Sequence, residues 1–223
     1  MHDLLKAVLA GSLLLLAACG SPGPEVRSVE SERAELREFG AHYGYDVGYM
    51  EKLLDLSRSS YDAFAAAMAM SAHREHLPVE AHHVACISAL MADDCGQCTQ
   101  LGLRMALEEG VERETLRRLI ESPRDLPPEL LLVHEYATQV VRGENVDDDR
   151  INALRETYGD AALGELAVNV IGCRIYPALR RSLGSETSCP RPTLGGRWKP
   201  WRASASPVED QSRRPNQAQP VIA

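Results

Sequence analysis

Two thiols one helical turn apart, Cys95 and Cys98 in the stretch Asp93-Asp94-Cys95-Gly96-Gln97-Cys98-Thr99-Gln100, are the residues of this chain best placed to do chemistry. A step of three returns to the same side of a helix, so the two sulfurs can meet and oxidise. The stretch reads as a helix start, where partial positive charge and free N–H groups help a thiol to ionise. The segment before it, Val79 to Ala92, is apolar nearly all round, as a buried helix is, yet holds His82 and His83. His83 can accept or return a proton near neutral pH, its ordinary pKa being about 6.5. Glu80, one turn earlier on the same side, can orient that ring or act in its place. A core histidine satisfied by the backbone is the competing reading of His83, and His82 is expected to face away and be structural. Asp93 and Asp94 oppose ionisation of the thiols, a conflict that softens if Asp94 is the N-cap and its charge is spent on backbone N–H groups. Gln100 can hydrogen-bond a substrate or be only a first-turn residue.

The elements that must position these groups read as helices. Leu36, Phe39, Val47, Met50, Leu53 and Leu54 recur at helical spacings, and Leu77-Pro78 opens the buried helix because proline suits a first turn. The dithiol helix is expected to run to about Glu109 and stop at Gly110. Its wheel places Cys95, Cys98, Gly102, Ala106 and Glu109 on one side, a candidate site wall. Gly102 costs roughly 0.5–1 kcal/mol relative to Ala in mid-helix, so a neighbour or a small substrate needs its space. Short helices are expected over Val111 to Ile120 and Glu129 to Val141, the triplet Asp147-Asp148-Asp149 caps the next, and Asp160 to Leu183 is the longest. Leu163, Leu166, Ala167, Val170 and Ile171 form its expected buried side, and Pro177 should kink it.

The bulk numbers agree with one helical domain. The chain has 223 residues, 44% hydrophobic but only 5% aromatic, with abundant Ala and Leu, which favours packed helices over sheets. The all-α domain is expected over residues 29–184. A net charge of −8 and the lack of any basic cluster with interleaved aromatics argue against nucleic-acid binding. Residues 1–18 read as a signal peptide, with Lys6 and a short apolar run ending in Leu16-Ala17-Ala18-Cys19. That ending resembles the cleavage box of bacterial lipoproteins, which implies lipidation of Cys19, a linker over 19–28 and a membrane held by a lipid anchor. The alternatives are an ordinary signal peptide, or a mis-assigned start and a cytoplasmic protein. Residues 185–223, rich in Ser, Pro, Arg and Gln, read as a disordered tail.

A lone CxxC also occurs in zinc sites. Zinc wants two more ligands at compact spacing, there is no second CxxC, and His73 and His76 make only a loose pair, so no metal and no other cofactor is assigned. A thioredoxin-like reading needs a βαβ pattern, and the surroundings are helical. Cys86 and Cys173 sit in apolar helices and are expected to be inert, while Cys189 is left over.

Leu77-Pro78, the apolar stretch to Asp94, Cys95-x-x-Cys98, Glu108-Glu109-Gly110-Val111, Leu126-Pro127-Pro128 and the closing apolar helix together resemble the carboxymuconolactone decarboxylase-like superfamily, within it the alkylhydroperoxidase D-like branch. The resemblance covers roughly residues 36–184. It implies an all-helical bundle, a homo-oligomer (trimer or hexamer), and reduction of a peroxide or disulfide with electrons from a thiol reductant. It makes Cys98 the attacking thiol and Cys95 the more exposed partner that receives reducing equivalents, whereas the helix-end argument alone favours Cys95 as the more acidic. Where well-studied members place a glutamate before the cysteines and histidines between and after them, this chain has His83, Gln97 and Gly102. Only the first keeps a titratable group, and Arg174 and Tyr176 are expected to pack or to bridge subunits. The reading is therefore a thiol-dependent oxidoreductase acting through Cys95, Cys98 and His83, supported by Glu80, Asp94 and Gln100. The alternative on the same fold is a non-catalytic binding or assembly module of the envelope.

Overall fold

Local signals set most helix ends. Ser28 accepts a hydrogen bond from the Ser31 amide, Ser57 from the Ser60 amide and Asp147 from the Arg150 amide, each opening a helix as an N-cap. The computed structural model describes residues 27–185 and 192–194, and these are all-α, with no strand among them. The helices are α1 (Val29–Tyr43), α2 (Gly48–Leu56), α3 (Arg58–Ala72), α4 (Val79–Ala92), α5 (Gly96–Glu108), α6 (Arg113–Glu121), α7 (Pro128–Arg142), α8 (Asp148–Tyr158) and α9 (Asp160–Ser182), with a 3₁₀ turn at Pro123–Asp125. The dithiol helix ends one residue before the expected Glu109, and the helix expected from Val111 starts at Arg113.

Helix α4 is the axis. Pro78 caps it, every residue from Ala81 to Leu90 is buried, and it packs against α5, α7 and α9. A helix that is apolar on all sides needs neighbours on all sides. Around it Leu103, Leu116, Val133, Leu154, Leu166 and Val170 form one core. Leu36, Tyr45, Tyr49, Met50, Leu54 and Tyr61, from α1 to α3 and the loop between them, form a second. The two cores meet along α9, with Tyr176 packed against both.

The buried side of α9 differs from the expected one. Ile171 is 51% exposed, whereas Glu165, Asn169 and Arg180 are buried. The reason is the approach of α3, which comes so close that a Cβ on Gly172 would lie 2.4 Å from the Ser71 amide nitrogen. That contact turns the strip Ala162, Glu165, Leu166, Asn169, Val170 and Cys173 inward and Ile171 out. Pro177 lies inside the helix, which continues beyond it to Ser182. Buried Glu165 accepts hydrogen bonds from the amides of Glu75, His76 and Leu77 and pairs with the His76 ring, fixing the chain just before α4.

Four residues of the expected disordered tail are placed: Ser185 follows α9, its amide donating to the Arg180 carbonyl, and Pro192, Thr193 and Leu194 lie against α5 and α6. Residues 1–26, with Cys19, and the rest of the tail, with Cys189, fall outside the described residues. Among the described residues no helix is long and apolar enough to cross a membrane.

Candidate functional site

The turn from α4 into α5 is held from α9. Arg174 Nε lies 3.2 Å from the Asp93 carboxylate, and Arg181 reaches both its carboxylate (3.4 Å) and its carbonyl (3.0 Å). Arg174 thus anchors this turn, and two guanidinium groups face the Asp93 charge that was expected to weigh on the thiols. Asp94 is exposed and takes a left-handed backbone, φ 52°, so it is not the N-cap. Cys95 is: its sulfur accepts a hydrogen bond from the Cys98 amide at 3.4 Å. The free N–H of the helix end is thereby aimed at Cys95, as the helix-end argument expects.

Cys95 and Cys98 are joined as a disulfide. Their exposures are 0% and 2%, so Cys95 is not the more exposed partner. The two residues line different spaces. Cys98, with Gly102, Met105 and Glu109, lines a cavity of about 650 Å³ at the seam of the two cores. Cys95, with Asp94, Gly96 and Thr99, lines a groove on the other side. The single wall expected on α5 is therefore divided: Cys98, Gly102 and Glu109 face the cavity, Cys95 faces the groove, and Ala106 is buried in the core.

The cavity is largely apolar, with Phe39, Met50, Met68 and Leu101 in its lining, and Arg27, Glu35, Arg74 and Glu109 are exposed members of it. His83 lines it together with Cys98, but its ring hydrogen-bonds neither sulfur. Its Nε2 lies 3.3 Å from a Glu109 carboxylate oxygen, at ion-pair distance but outside hydrogen-bond geometry. Burial, then neighbouring His82, push the His83 pKa below its ordinary value against the pull of Glu109. The ring is neutral at pH 7, able to accept a proton. His82 lines the cavity too and is held by Asn169 at 2.9 Å, so it does not face away. Glu80 does not line the cavity; its charge acts on the Tyr158 phenol, and Glu109 is the carboxylate beside His83. Gln100 accepts a hydrogen bond from the Thr193 amide, at 3.0 Å, and lines neither space. A Cβ on Gly102 would meet Ile87 at 3.0 Å, so a neighbouring helix claims the space that the glycine leaves.

The group nearest the chemistry is one the sequence reading passed over. The Tyr45 hydroxyl lies 3.9 Å from Cys98 Sγ and 3.0 Å from the Tyr49 hydroxyl. Arg180, 1% exposed, sets its guanidinium 4.7 Å from the Tyr49 ring centre and 5.6 Å from that of Tyr45. It also donates to the Asp46 carbonyl and carboxylate and, at 2.9 Å, to Gln97 Oε1, between the two cysteines. Burial pushes the Tyr45 phenol up, and the Tyr49 and Arg180 contacts only partly offset this. Tyr45 therefore stays a hydrogen-bond donor at neutral pH. Two signals mark the group in the sequence: a tyrosine cluster, Tyr43, Tyr45 and Tyr49, in a chain poor in aromatics, and Arg180 near the end of an apolar helix.

Cys86 and Cys173 are buried free thiols that line the same cavity. A hydrogen bond with Cys86 and burial push the Cys173 thiol well up, which leaves it a neutral, weak nucleophile. Tyr176 also lines the cavity, its hydroxyl 2.9 Å from that of Ser71. Among the described residues no group of three or more His, Cys, Asp or Glu side chains is placed to hold a metal ion. In comparison with known proteins, the chain matches no family model, no curated protein and no solved structure.

Proposed function

We propose that this protein is a thiol-dependent oxidoreductase that reduces a hydroperoxide or a disulfide at Cys98. The observation that carries the reading is a CxxC disulfide with Cys98 in the wall of a mostly apolar cavity, a buried tyrosine hydroxyl 3.9 Å from its sulfur and a neutral histidine in the same lining. The cavity has the size and character of a small-molecule site. In the reduced protein the Cys98 thiolate attacks the outer oxygen of a hydroperoxide, the O–O bond breaks, and the alcohol leaves with a proton while Cys98 becomes a sulfenic acid. Cys95 then attacks that sulfur, water leaves, and the disulfide forms. A dithiol reductant returns two electrons and two protons. Tyr45 donates to the thiolate and then to the leaving oxygen, and His83 accepts the thiol proton through the cavity.

The resemblance to the alkylhydroperoxidase D-like branch supports the same reaction, and with it a homo-oligomer built on that bundle. The departure at Gln97 is met differently here, since Gln97 is tied to Arg180, which in turn lies over the Tyr45 ring. Export and a lipid anchor at Cys19 belong to the proposal through the leader sequence. The expected result is that the Cys98→Ser protein loses dithiothreitol-dependent consumption of an organic hydroperoxide; turnover equal to that of the unaltered protein would overturn the reading.

One observation favours the second reading, a non-catalytic module: both sulfurs are buried, as in a structural crosslink. Resistance of the disulfide to millimolar dithiothreitol in the native protein would support it; reduction without unfolding counts against it.

A further inference from the structure

Two thiols in the cavity wall have no part in the Cys95–Cys98 cycle. Cys86 on α4 and Cys173 on α9 are free and buried, and both line the space that Cys98 lines. Helices α4 and α9 pack on each other, and the two cysteines meet at Ser71, near the end of α3. Cys86 Sγ donates to the Ser71 carbonyl at 3.8 Å, and Gly172, beside Cys173, comes so near the Ser71 amide that a Cβ would not fit. With its one proton given to Ser71, the Cys86 sulfur is the acceptor in the hydrogen bond with Cys173. Sulfurs in contact across two packed helices are placed to bond. A structural cysteine in a dry core is inert because no oxidant reaches it. These two border the chamber that holds Cys98.

We propose that Cys86 and Cys173 are a second redox-active dithiol, oxidised to a disulfide by an organic hydroperoxide that enters the cavity. From the proposed function this takes only that the cavity admits a hydroperoxide, and it needs no reaction of Cys98. Cys173 is held neutral, so the first attack falls to Cys86. The Cys86 sulfur attacks the outer oxygen of the hydroperoxide, the O–O bond breaks, the Cys86 proton leaves with the alcohol, and Cys86 becomes a sulfenic acid. Cys173 Sγ then attacks that sulfur, the S–O bond breaks, the hydroxyl leaves as water with the Cys173 proton, and the S–S bond forms. Two electrons pass from the dithiol to the hydroperoxide. The new bond ties α4 to α9. Hydroperoxide that arrives while Cys95 and Cys98 are still a disulfide meets this pair as the thiols left in the lining.

The test starts from the full chain in its Cys95–Cys98 disulfide form, in which Cys98 offers no thiol. The folded protein is held in millimolar cumene hydroperoxide, free thiols are alkylated in denaturant, and the chain is cut with trypsin and before Asp93, which parts Cys86 from Cys95 and Cys98. The expected product is the Cys86 peptide joined to the Cys173 peptide, with one cumyl alcohol formed for each joined pair. In the Cys173→Ala chain Cys86 is expected to stop at the sulfenic acid and to take up dimedone; in the Cys86→Ala chain Cys173 is expected to stay alkylatable. Recovery of both cysteines fully alkylated from the unaltered chain overturns the proposal. The two readings fail apart from each other. A joined pair in a protein whose Cys98→Ser form still turns over hydroperoxide sinks the proposed function alone, and separate thiols in a protein whose turnover needs Cys98 sink the second dithiol alone.

Discussion

Tyr45 is a proton-bearing group at the edge of a sulfur, kept that way by burial and braced by Tyr49 and Arg180. Tyr45→Phe keeps the ring and removes the donor. It is expected to lower kcat/KM for an organic hydroperoxide roughly 10- to 100-fold, the low end of what a positioned proton donor contributes. It should also raise the pKa of the reduced Cys98 thiol, moving the pH profile of its alkylation to higher pH; an unmoved profile removes Tyr45 from the mechanism. Cys95, Cys98 and His83 were legible from residue type and spacing, because a CxxC at a helix start and a histidine in an apolar helix break local expectation. Tyr45 and Arg180 were not, and Glu109, expected on the site wall, was not expected beside His83. Tyr45 lies 53 residues from Cys98, in the loop between α1 and α2, and local periodicity does not report a contact made across that distance in the chain. Glu80 is near His83 in sequence, but the carboxylate close to its ring is that of Glu109, the C-cap of α5.

At the scale of elements, the helix approaches are set by glycines in two different ways. At Gly172 the atoms facing an added Cβ are backbone, Ser71 N at 2.4 Å and Met70 C at 2.6 Å, and backbone cannot step aside. Gly172→Ala is expected to cost about 3 kcal/mol or more in urea unfolding, the upper part of the overpacking range, by forcing α3 off α9 and reshaping the cavity. At Gly102 the nearest atom is the Ile87 side chain at 3.0 Å, which can give. There the gain in helix propensity, roughly 0.5–1 kcal/mol, offsets much of the strain, and Gly102→Ala should lie within about 1 kcal/mol of the unaltered protein. Equal losses at the two sites would show that the α3–α9 approach is not special. Helix existence was legible almost throughout: the cap at Asp147, the opening at Leu77-Pro78 and the buried run of α4 all follow from local chemistry. The inward face of α9 was not, because Ile171 and Val170 look alike in sequence and only the neighbour's position decides which is buried.

For the whole molecule, buried ionisable groups fix how the fold responds to acid. His82, His83 and His134 are held below the ordinary histidine pKa of 6.5, first by burial. Their unfolded forms bind protons before the folded forms do, so the stability tied to neutral rings is complete above pH 6.5 and is lost as pH falls through the lowered values. Burial alone would raise the Glu165 pKa. The Leu77 amide, the His76 ring and the amides of Glu75 and His76 outweigh it and hold the carboxyl at about 2, against 4.5 unperturbed. Its stabilisation is complete above pH 4.5 and drains away toward pH 2. Urea midpoints measured from pH 8 to 3 are expected to fall in two stages, and Glu165→Gln should flatten the lower one. A midpoint independent of pH below 4.5 in the unaltered protein would contradict this.

The two cysteines of the disulfide line different spaces, so one bond borders two compartments. Cys98 lines the cavity and Cys95 lines the groove, and in the proposed reaction the hydroperoxide is reduced on the cavity side. If the donor reaches the disulfide from the groove, the two substrates do not compete for one volume and excess hydroperoxide does not crowd out the donor. Steady-state turnover is then expected to be ping-pong, with double-reciprocal lines that stay parallel at high hydroperoxide concentration. Upward curvature that more reductant relieves would place both substrates in one chamber.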